Sequence, residues 1–231
     1  MVSRRDFVRI CTMAGAAVGL SATTVSRIVE AAAKGLKPSV VWLHFQECTG
    51  CTESLLRTSH PDIAEVILDL ISLDYHETLF AAAGHQAEAA LQDTIKKNEG
   101  KFICVVEGAV ATKYNGGYGK VAGKSFLQIA KDTCTKAAGV ICIGSCSSFG
   151  NLPAAKPNPG GYKGVGDALG IKTVNIAGCP PNPINFVGTV VHYLLLGKLP
   201  ALDNLGRPMF AYGQTIHDNC PRRGHFENGE F

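Results

Sequence analysis

The sequence lacks a strong excess of charge of either sign, a long hydrophobic run and any internal repeat. Its 231 residues contain 22 lysines and arginines against 19 aspartates and glutamates, a formal net charge of +3. So small a surplus excludes the strongly basic surface on which nucleic-acid binding depends. The apolar content of 46% is enough to bury a core, which excludes a disordered chain. The length suits one well-buried domain with some additional chain.

Cysteine, in contrast, is plentiful. The chain has nine cysteines, and an odd number means that a disulfide framework would leave at least one thiol unpaired. A metal centre is the other common reason for so many cysteines in one chain. Where the cysteines fall relative to the predicted strands therefore decides between the two.

Residues 1–33 have the pattern of a twin-arginine export signal. Arg4 and Arg5 are paired, residues 10–26 are uncharged, and Ala31–Ala33 supplies a small-residue cleavage site. The uncharged stretch is short and weakly apolar for a membrane span. An amphipathic N-terminal helix is the alternative interpretation. A twin-arginine passenger reaches the periplasm already folded, which suits a metal centre loaded before export better than disulfides formed afterwards.

The rest of the chain alternates short apolar runs with helical patterns. We expect strands at Val40–Phe45, Glu65–Leu73, Phe102–Val106, Val140–Ile143 and Thr173–Ile176. We expect helices at Thr78–Lys97, Lys124–Ala138 and Pro183–Leu196. This alternation predicts a doubly wound α/β domain with a parallel sheet over residues 37–197. In residues 198–231 the periodicity fades.

Four cysteines follow predicted strands. Cys48 and Cys51 come after the first strand, Cys146 after the fourth and Cys179 after the fifth, so all four are expected at the carboxyl edge of the sheet, where ligands bind. Four thiolates suit zinc or an iron–sulfur cluster. Structural zinc sites usually pair two Cys-x-x-Cys motifs, and cysteine followed by proline, as at Pro180, recurs at iron–sulfur sites. The pattern favours a cluster.

The remaining cysteines carry weaker signals. Cys104 and Cys142 lie inside predicted strands and Cys134 lies on the apolar side of a predicted helix, so we expect all three in the core. His217 and Cys220 are spaced to share a metal, but two ligands do not complete a site.

Several longer motifs resemble one known family. They are the twin-arginine leader, Glu47–Ser54, Ile71–Thr78, Gly144–Cys146, Gly178–Pro183 and His217–Cys220. Together they make nearly the whole chain similar to the small, electron-transfer subunit of periplasmic nickel–iron hydrogenases. The resemblance implies a flavodoxin-like domain and a large-subunit partner whose nickel–iron site splits hydrogen into protons and electrons. It also implies an external electron carrier such as a cytochrome.

The resemblance also implies the cluster ligands. A proximal [4Fe–4S] cluster would be held by Cys48, Cys51, Cys146 and Cys179, while His217 and Cys220 would be two of the four ligands of a distal [4Fe–4S] cluster. The family has a middle [3Fe–4S] cluster as well. Gly50 and Asn151 occupy the positions of the extra cysteines of oxygen-tolerant relatives, which implies the standard, oxygen-sensitive type.

The sequence ends at Phe231, eleven residues after Cys220, with no further cysteine. We therefore expect a C-terminally truncated member that completes only the proximal cluster, with residues 198–231 as the beginning of a second cluster-binding domain.

Two alternative functions use the same cysteines differently. One is the cluster-bearing subunit of a respiratory NADH dehydrogenase, but that family has adjacent cysteines where this chain has Cys48-x-x-Cys51, and it lacks an export signal. The other is an exported thiol–disulfide oxidoreductase that uses Cys48 and Cys51. Such an enzyme would make no use of Cys146 and Cys179.

Overall fold

The computed structural model describes residues 37–59 and 61–230. The predicted signal, residues 1–33, lies outside the described residues. Within the part of the chain that is described, no helix is both long enough and apolar enough to cross a membrane.

Five parallel strands form the central sheet. They are β1 (Ser39–His44), β2 (Ser72–His76), β3 (Ile103–Glu107), β4 (Gly139–Ile143) and β5 (Val174–Ile176). Their order across the sheet is β2-β1-β3-β4-β5, and every neighbouring pair is parallel. This is the strand order of flavodoxin-like doubly wound folds. The predicted fold class is confirmed.

Helices lie between the strands and, in the case of the last three, after β5. They are α1 (Gly50–Leu56), α2 (Ile63–Glu65), α3 (His85–Lys97), α4 (Phe126–Cys134), α5 (Ser145–Phe149), α6 (Val165–Leu169), α7 (Pro183–Leu196), α8 (Met209–Tyr212) and α9 (Arg223–Glu227). A π-helical turn covers Val66–Leu70, and 3-10 segments cover Lys113–Gly116 and Leu152–Ala154. Two short antiparallel ladders pair Val110–Ala111 with Tyr162–Lys163 and Lys120–Val121 with Lys124–Ser125.

Alternating side chains give the sheet two buried faces. Because successive strand residues point to opposite sides, Trp42 packs in one core cluster with Phe186 of α7, while Leu43 belongs to the cluster that contains Leu91 of α3 and Ile129 of α4. Covered on both sides, the strands can be apolar almost throughout, which is why their sequences read as continuous hydrophobic runs.

The segment Glu65–Leu73, predicted as a strand, is mostly helical, so this prediction was wrong. Asp62 and Glu65 form a capping box in which each carboxylate accepts the backbone N–H of the other residue at 2.9 Å. A capping box starts a helix by satisfying its free N–H groups. The helical turns continue to Leu70, and β2 begins only at Ser72.

The helix predicted from Thr78 begins at His85 instead. The imidazole Nδ1 of His76 accepts the N–H groups of Thr78 (3.2 Å) and Leu79 (3.3 Å), which holds the chain after β2 in a turn. Gly84, with φ of 56°, then reverses the chain immediately before α3.

The three cysteines expected in the core are buried there. Cys104 and Cys142 are inaccessible, Cys134 is 3% exposed, and the Sγ atoms of Cys104 and Cys134 lie 3.7 Å apart. All three pack on the sheet face that α3 and α4 cover. They behave as small apolar residues, as predicted.

Residues after α7 attach to the last strand of the sheet. Asn175 of β5 donates its backbone N–H to the carbonyl of Gly206 and its side-chain amide to that of Leu205, both at 2.7 Å. The hydroxyl of Tyr212 donates to the carbonyl of Ala177 at 2.7 Å. The chain therefore stays on the β5 side of the sheet as far as α8.

His76 should make stability depend on pH. Burial, and to a lesser extent the neighbouring His44, lowers the pKa of His76 to about 3, against about 6.5 in an unfolded chain. Between these values the unfolded chain binds a proton that the folded chain does not. The free energy of unfolding should therefore fall as the pH drops below 6.5, by at most about 1.4 kcal/mol per pH unit.

The variant His76→Asn keeps an acceptor near the position of Nδ1 but does not titrate. Urea unfolding at pH 7 and pH 5 should show a smaller loss of stability for this variant than for the natural chain. Equal losses in the two proteins would contradict the assignment of a neutral His76.

Candidate metal centre

One row of residues across the sheet explains why the four predicted cysteines meet. His44 of β1 pairs with Glu107 of β3, Glu107 with Ile143 of β4, and Ile143 with Ile176 of β5. This row marks the carboxyl edge. The cysteines follow it by three to seven residues, at positions 48, 51, 146 and 179.

The fold brings the four thiols close enough together to interact electrostatically. The thiol of Cys51 interacts with those of Cys48, Cys146 and Cys179, and the thiol of Cys146 interacts with those of Cys48 and Cys179. The structure thus brings together the residues that the sequence predicts as one site.

The spacing of the thiols is too wide for one small ion. Within residues 37–59 and 61–230, no three of these sulfurs lie within 4.8 Å of one another. If four cysteine sulfurs bound one zinc ion tetrahedrally, with zinc–sulfur bonds of 2.3 Å, the sulfurs would lie about 3.8 Å from one another. Four converging thiols at a greater separation fit a cluster of several metal ions.

Glu107 fixes the loop that carries Cys51. Its carboxylate, 1% exposed at the end of β3, accepts the backbone N–H groups of Cys51 (2.9 Å) and Thr52 (3.1 Å) and the hydroxyl of Thr52 (2.6 Å). A carboxylate at the start of α1 satisfies N–H groups that have no partner within the helix. Glu107 was missed in the sequence, although an acidic residue at the end of an apolar strand is a signal for it.

A second carboxylate, largely shielded from solvent, belongs to Glu47, the residue before Cys48. Glu47 Oε1 is 3.2 Å from Nδ1 of His44, and their side chains are 12% and 5% exposed. Nδ1 of His44 is also 3.9 Å from Glu107, and its backbone N–H donates to Glu77. The imidazole thus separates two carboxylates beneath the cysteine loop.

The thiols of Cys51 and Cys146 are hard to ionise without a cation. Burial raises the pKa of the Cys51 thiol well above its ordinary value, and the negative charges of Glu107 and the three other cysteines raise it further. Burial also raises the pKa of Cys146. Metal binding requires thiolates and displaces their protons, so the positive charge of iron is what these ligands lack. The donor set fits an iron–sulfur cluster.

Two glycines allow the cysteine loops to approach. Gly144 has φ of 90°, and a Cβ there would lie 2.4 Å from Sγ of Cys51. Gly178 has φ of 146°, and a Cβ there would lie 2.4 Å from Cα of Pro181. Both positions therefore require glycine. Beside them, the N–H of Ser145 donates to the carbonyl of Gly178 at 2.8 Å, which joins the loops of Cys146 and Cys179.

His217 and Cys220 lie in a separate turn. The N–H of Cys220 donates to the carbonyl of His217 at 3.3 Å, and Asp218 between them accepts the N–H of Thr215 at 2.6 Å. In the described part of the chain, no group of three potential ligands within 4.8 Å includes either residue. The structure brings the pair together but does not join it to the four cysteines.

The cysteine site opens to the surface of the chain. Cys48 and Cys179 are exposed, while Cys51 and Cys146 are half-buried. A flavodoxin-like sheet with four converging thiols at its carboxyl edge defines an α/β domain with a candidate metal centre lined by cysteines, a class that includes electron-transfer subunits.

Comparisons with known proteins assign the family. The family model described as NADH ubiquinone oxidoreductase, 20 Kd subunit, matches residues 48–193 and so spans all four cysteines. The periplasmic [NiFe] hydrogenase small subunit of Solidesulfovibrio fructosivorans is 53% identical over 230 residues, covering 100% of this chain and 73% of that relative. The Hydrogenase-2 small chain of Escherichia coli is 45% identical, covering 100% of this chain and 62% of that relative.

A solved structure agrees with these relatives. The reduced, active form of the Ni-Fe-Se hydrogenase from Desulfomicrobium baculatum superposes with a TM-score of 0.79 at 37% identity, covering 84% of this chain and 78% of the other. The chain belongs to the family of [NiFe] hydrogenase small subunits, the iron–sulfur electron-transfer subunits that pair with a large subunit. Relatives over its whole length thus support this function over both alternatives, although the matching family model is named after an NADH dehydrogenase subunit.

Replacing Glu107 should weaken the fold around the site. Glu107→Gln keeps the shape but removes the charge and turns an NH2 group towards N–H donors. We expect the free energy of unfolding, measured in urea, to fall by about 1–3 kcal/mol. The matched change Glu53→Gln, on the exposed side of the same helix, should alter it by less than about 0.5 kcal/mol. Equal stabilities of the two variants would contradict the role of Glu107.

Proposed function

We propose that Cys48, Cys51, Cys146 and Cys179 hold a [4Fe–4S] cluster through which this chain passes electrons to or from the nickel–iron site of its large subunit. The observation that carries the proposal is the convergence of four thiols at one sheet edge, at a spacing wider than a single ion would set. Such a cluster, when bound, accepts and releases single electrons.

The protein holds this site with neighbours of three kinds. Glu107 fixes the backbone around Cys51, Gly144 leaves room for its sulfur, and N–H groups of Asn151 and Leu152 donate to the sulfur of Cys146. Ligands that are positioned in advance need little rearrangement when the charge on the site changes. The site is thus suited to electron transfer rather than to bond-making chemistry.

We propose that the large subunit covers this sheet edge. Cys48 and Cys179 are exposed, and the apolar side chain of Leu152, which follows the Cys146 helix, is 79% exposed. An apolar side chain beside an exposed metal site is typical of a surface that a partner covers. Covering it would exclude water and shorten the path for the electron.

We also propose that His217 and Cys220 supply two of the four ligands of a distal [4Fe–4S] cluster. Their common turn supports this proposal. We propose accordingly that the chain has a flavodoxin-like domain, residues 37–197, followed by the beginning of a cluster-binding domain, residues 198–231. A middle [3Fe–4S] cluster would complete the path to an external carrier such as a cytochrome.

We propose that the mature protein acts in the periplasm after twin-arginine export. Two relatives at 53% and 51% identity are named periplasmic, and Arg4 and Arg5 give the chain a matching leader. Export of the folded protein would allow the cluster to be inserted beforehand.

Loss of one ligand should remove the cluster. Anaerobically purified protein should contain about four iron and four sulfide per chain at the proximal site and be brown, whereas Cys146→Ala should lose most of that iron and the visible absorption. The matched control Cys142→Ala removes a buried core thiol only four residues before Cys146. This variant should keep both the iron and the visible absorption. Iron-free natural protein with a reducible Cys48–Cys51 disulfide would contradict the proposal and favour a thiol–disulfide oxidoreductase.

A charge at the proposed interface should weaken assembly. Leu152→Asp should lower the amount of this chain that co-purifies with a tagged, co-expressed large subunit by about tenfold, because buried apolar side chains at interface centres often contribute that much. Leu68→Asp is a matched control, since Leu68 is also an exposed leucine, with 64% of its surface accessible. It precedes β2 and so lies on the side of the sheet where the strands begin, away from the carboxyl edge. Equal recovery of both variants would place the large subunit elsewhere.

A further inference from the structure

Asn151 has a backbone conformation that favours glycine. Its φ is 40° and its ψ is −130°. Asparagine tolerates the left-handed helical region, but that region has positive ψ, near 47°. Asn151 is outside it, so its side chain destabilises the backbone here relative to glycine.

The usual structural role of asparagine does not account for this residue. Asparagine often caps a helix by accepting a backbone N–H group, and Asn151 directly precedes the 3-10 segment Leu152–Ala154. Its side chain nevertheless accepts no capping hydrogen bond. Instead its Nδ2 donates to Sγ of Cys146 across 3.6 Å.

A second donor reaches the same sulfur. The backbone N–H of Leu152 also donates to Cys146, and both hydrogen bonds act to lower the pKa of the thiol, against the effect of burial. Two consecutive residues thus stabilise negative charge on one cysteine sulfur. Only one of these donors, the side-chain amide, depends on the type of residue.

We propose that Asn151 is a positioning residue that raises the reduction potential of the cluster bound through Cys146. The inference rests on the proposed cluster site. A one-electron reduction adds one negative charge, which spreads onto the ligand sulfurs, so an N–H···S hydrogen bond favours the reduced form. The contact of the side-chain amide with the sulfur explains why an asparagine stands at a position whose backbone conformation favours glycine.

Removing the amide should therefore lower the potential without removing the cluster. Asn151→Gly relieves the backbone and deletes the donor, while Asn151→Leu keeps the size of the side chain without an N–H group. The matched control is Asn158→Gly, because Asn158 also has a positive φ, of 46°, but its amide bonds the backbone of Tyr162 and no sulfur.

The experiment uses the complex of each chain with its large subunit. Iron and sulfide are counted first, and the reduction potential is then measured by a mediator-buffered titration with dithionite, followed by electron paramagnetic resonance of the reduced cluster. We expect unchanged iron in all variants, a lower potential in Asn151→Gly and Asn151→Leu, and an unchanged potential in Asn158→Gly.

The two proposals fail in different ways. Full iron with an unchanged potential in Asn151→Gly would overturn the role of Asn151 and leave the cluster site standing. An equal shift in Asn158→Gly would also overturn it, because the loop and not the amide would then set the potential. Natural protein that binds no iron would overturn both.

Discussion

The parallel alignment of β1, β3, β4 and β5 is the constraint on which the site depends. Because these strands run in the same direction and are in register through His44, Glu107, Ile143 and Ile176, their following loops emerge side by side. Cys48 and Cys179, which are 131 positions apart in the sequence, therefore lie at the same edge of the sheet. No local feature of either cysteine loop could bring this about alone.

Charge near the site follows from the same alignment. The row that ends the strands places one carboxylate, that of Glu107, under the loop of Cys51, and His44 lies between it and Glu47. The negative charge of Glu107, added to burial, opposes ionisation of the Cys51 thiol, so the thiolate form of this cysteine is unfavourable without a cation. A bound cationic metal core would offset this repulsion, since the same carboxylate would attract the metal.

Much of the fold and of the site could be predicted from the sequence. Strands that are covered on both faces of the sheet appear in the sequence as continuous apolar runs, which made them recognisable. Pro183 and Gly197 correctly predicted the two ends of α7. The strand predicted at Glu65–Leu73 failed because an apolar run alone does not distinguish a strand from helical turns, and the deciding capping box is polar. The contacts of Glu107 and Asn151 could not be predicted from the sequence, because each depends on where another part of the chain lies after folding.

The exposure of the cysteine thiols to oxidation depends on whether the chain has folded. The eight cysteines of the described residues are all free, and three of them, including the pair whose sulfurs are 3.7 Å apart, are buried in the core cluster between the sheet and the helices α3 and α4. In the folded chain these three thiols have almost no contact with solvent. A chain still unfolded in an oxidising compartment would expose all eight sulfurs to mispairing. Folding in a reducing environment is therefore the step that protects the molecule afterwards.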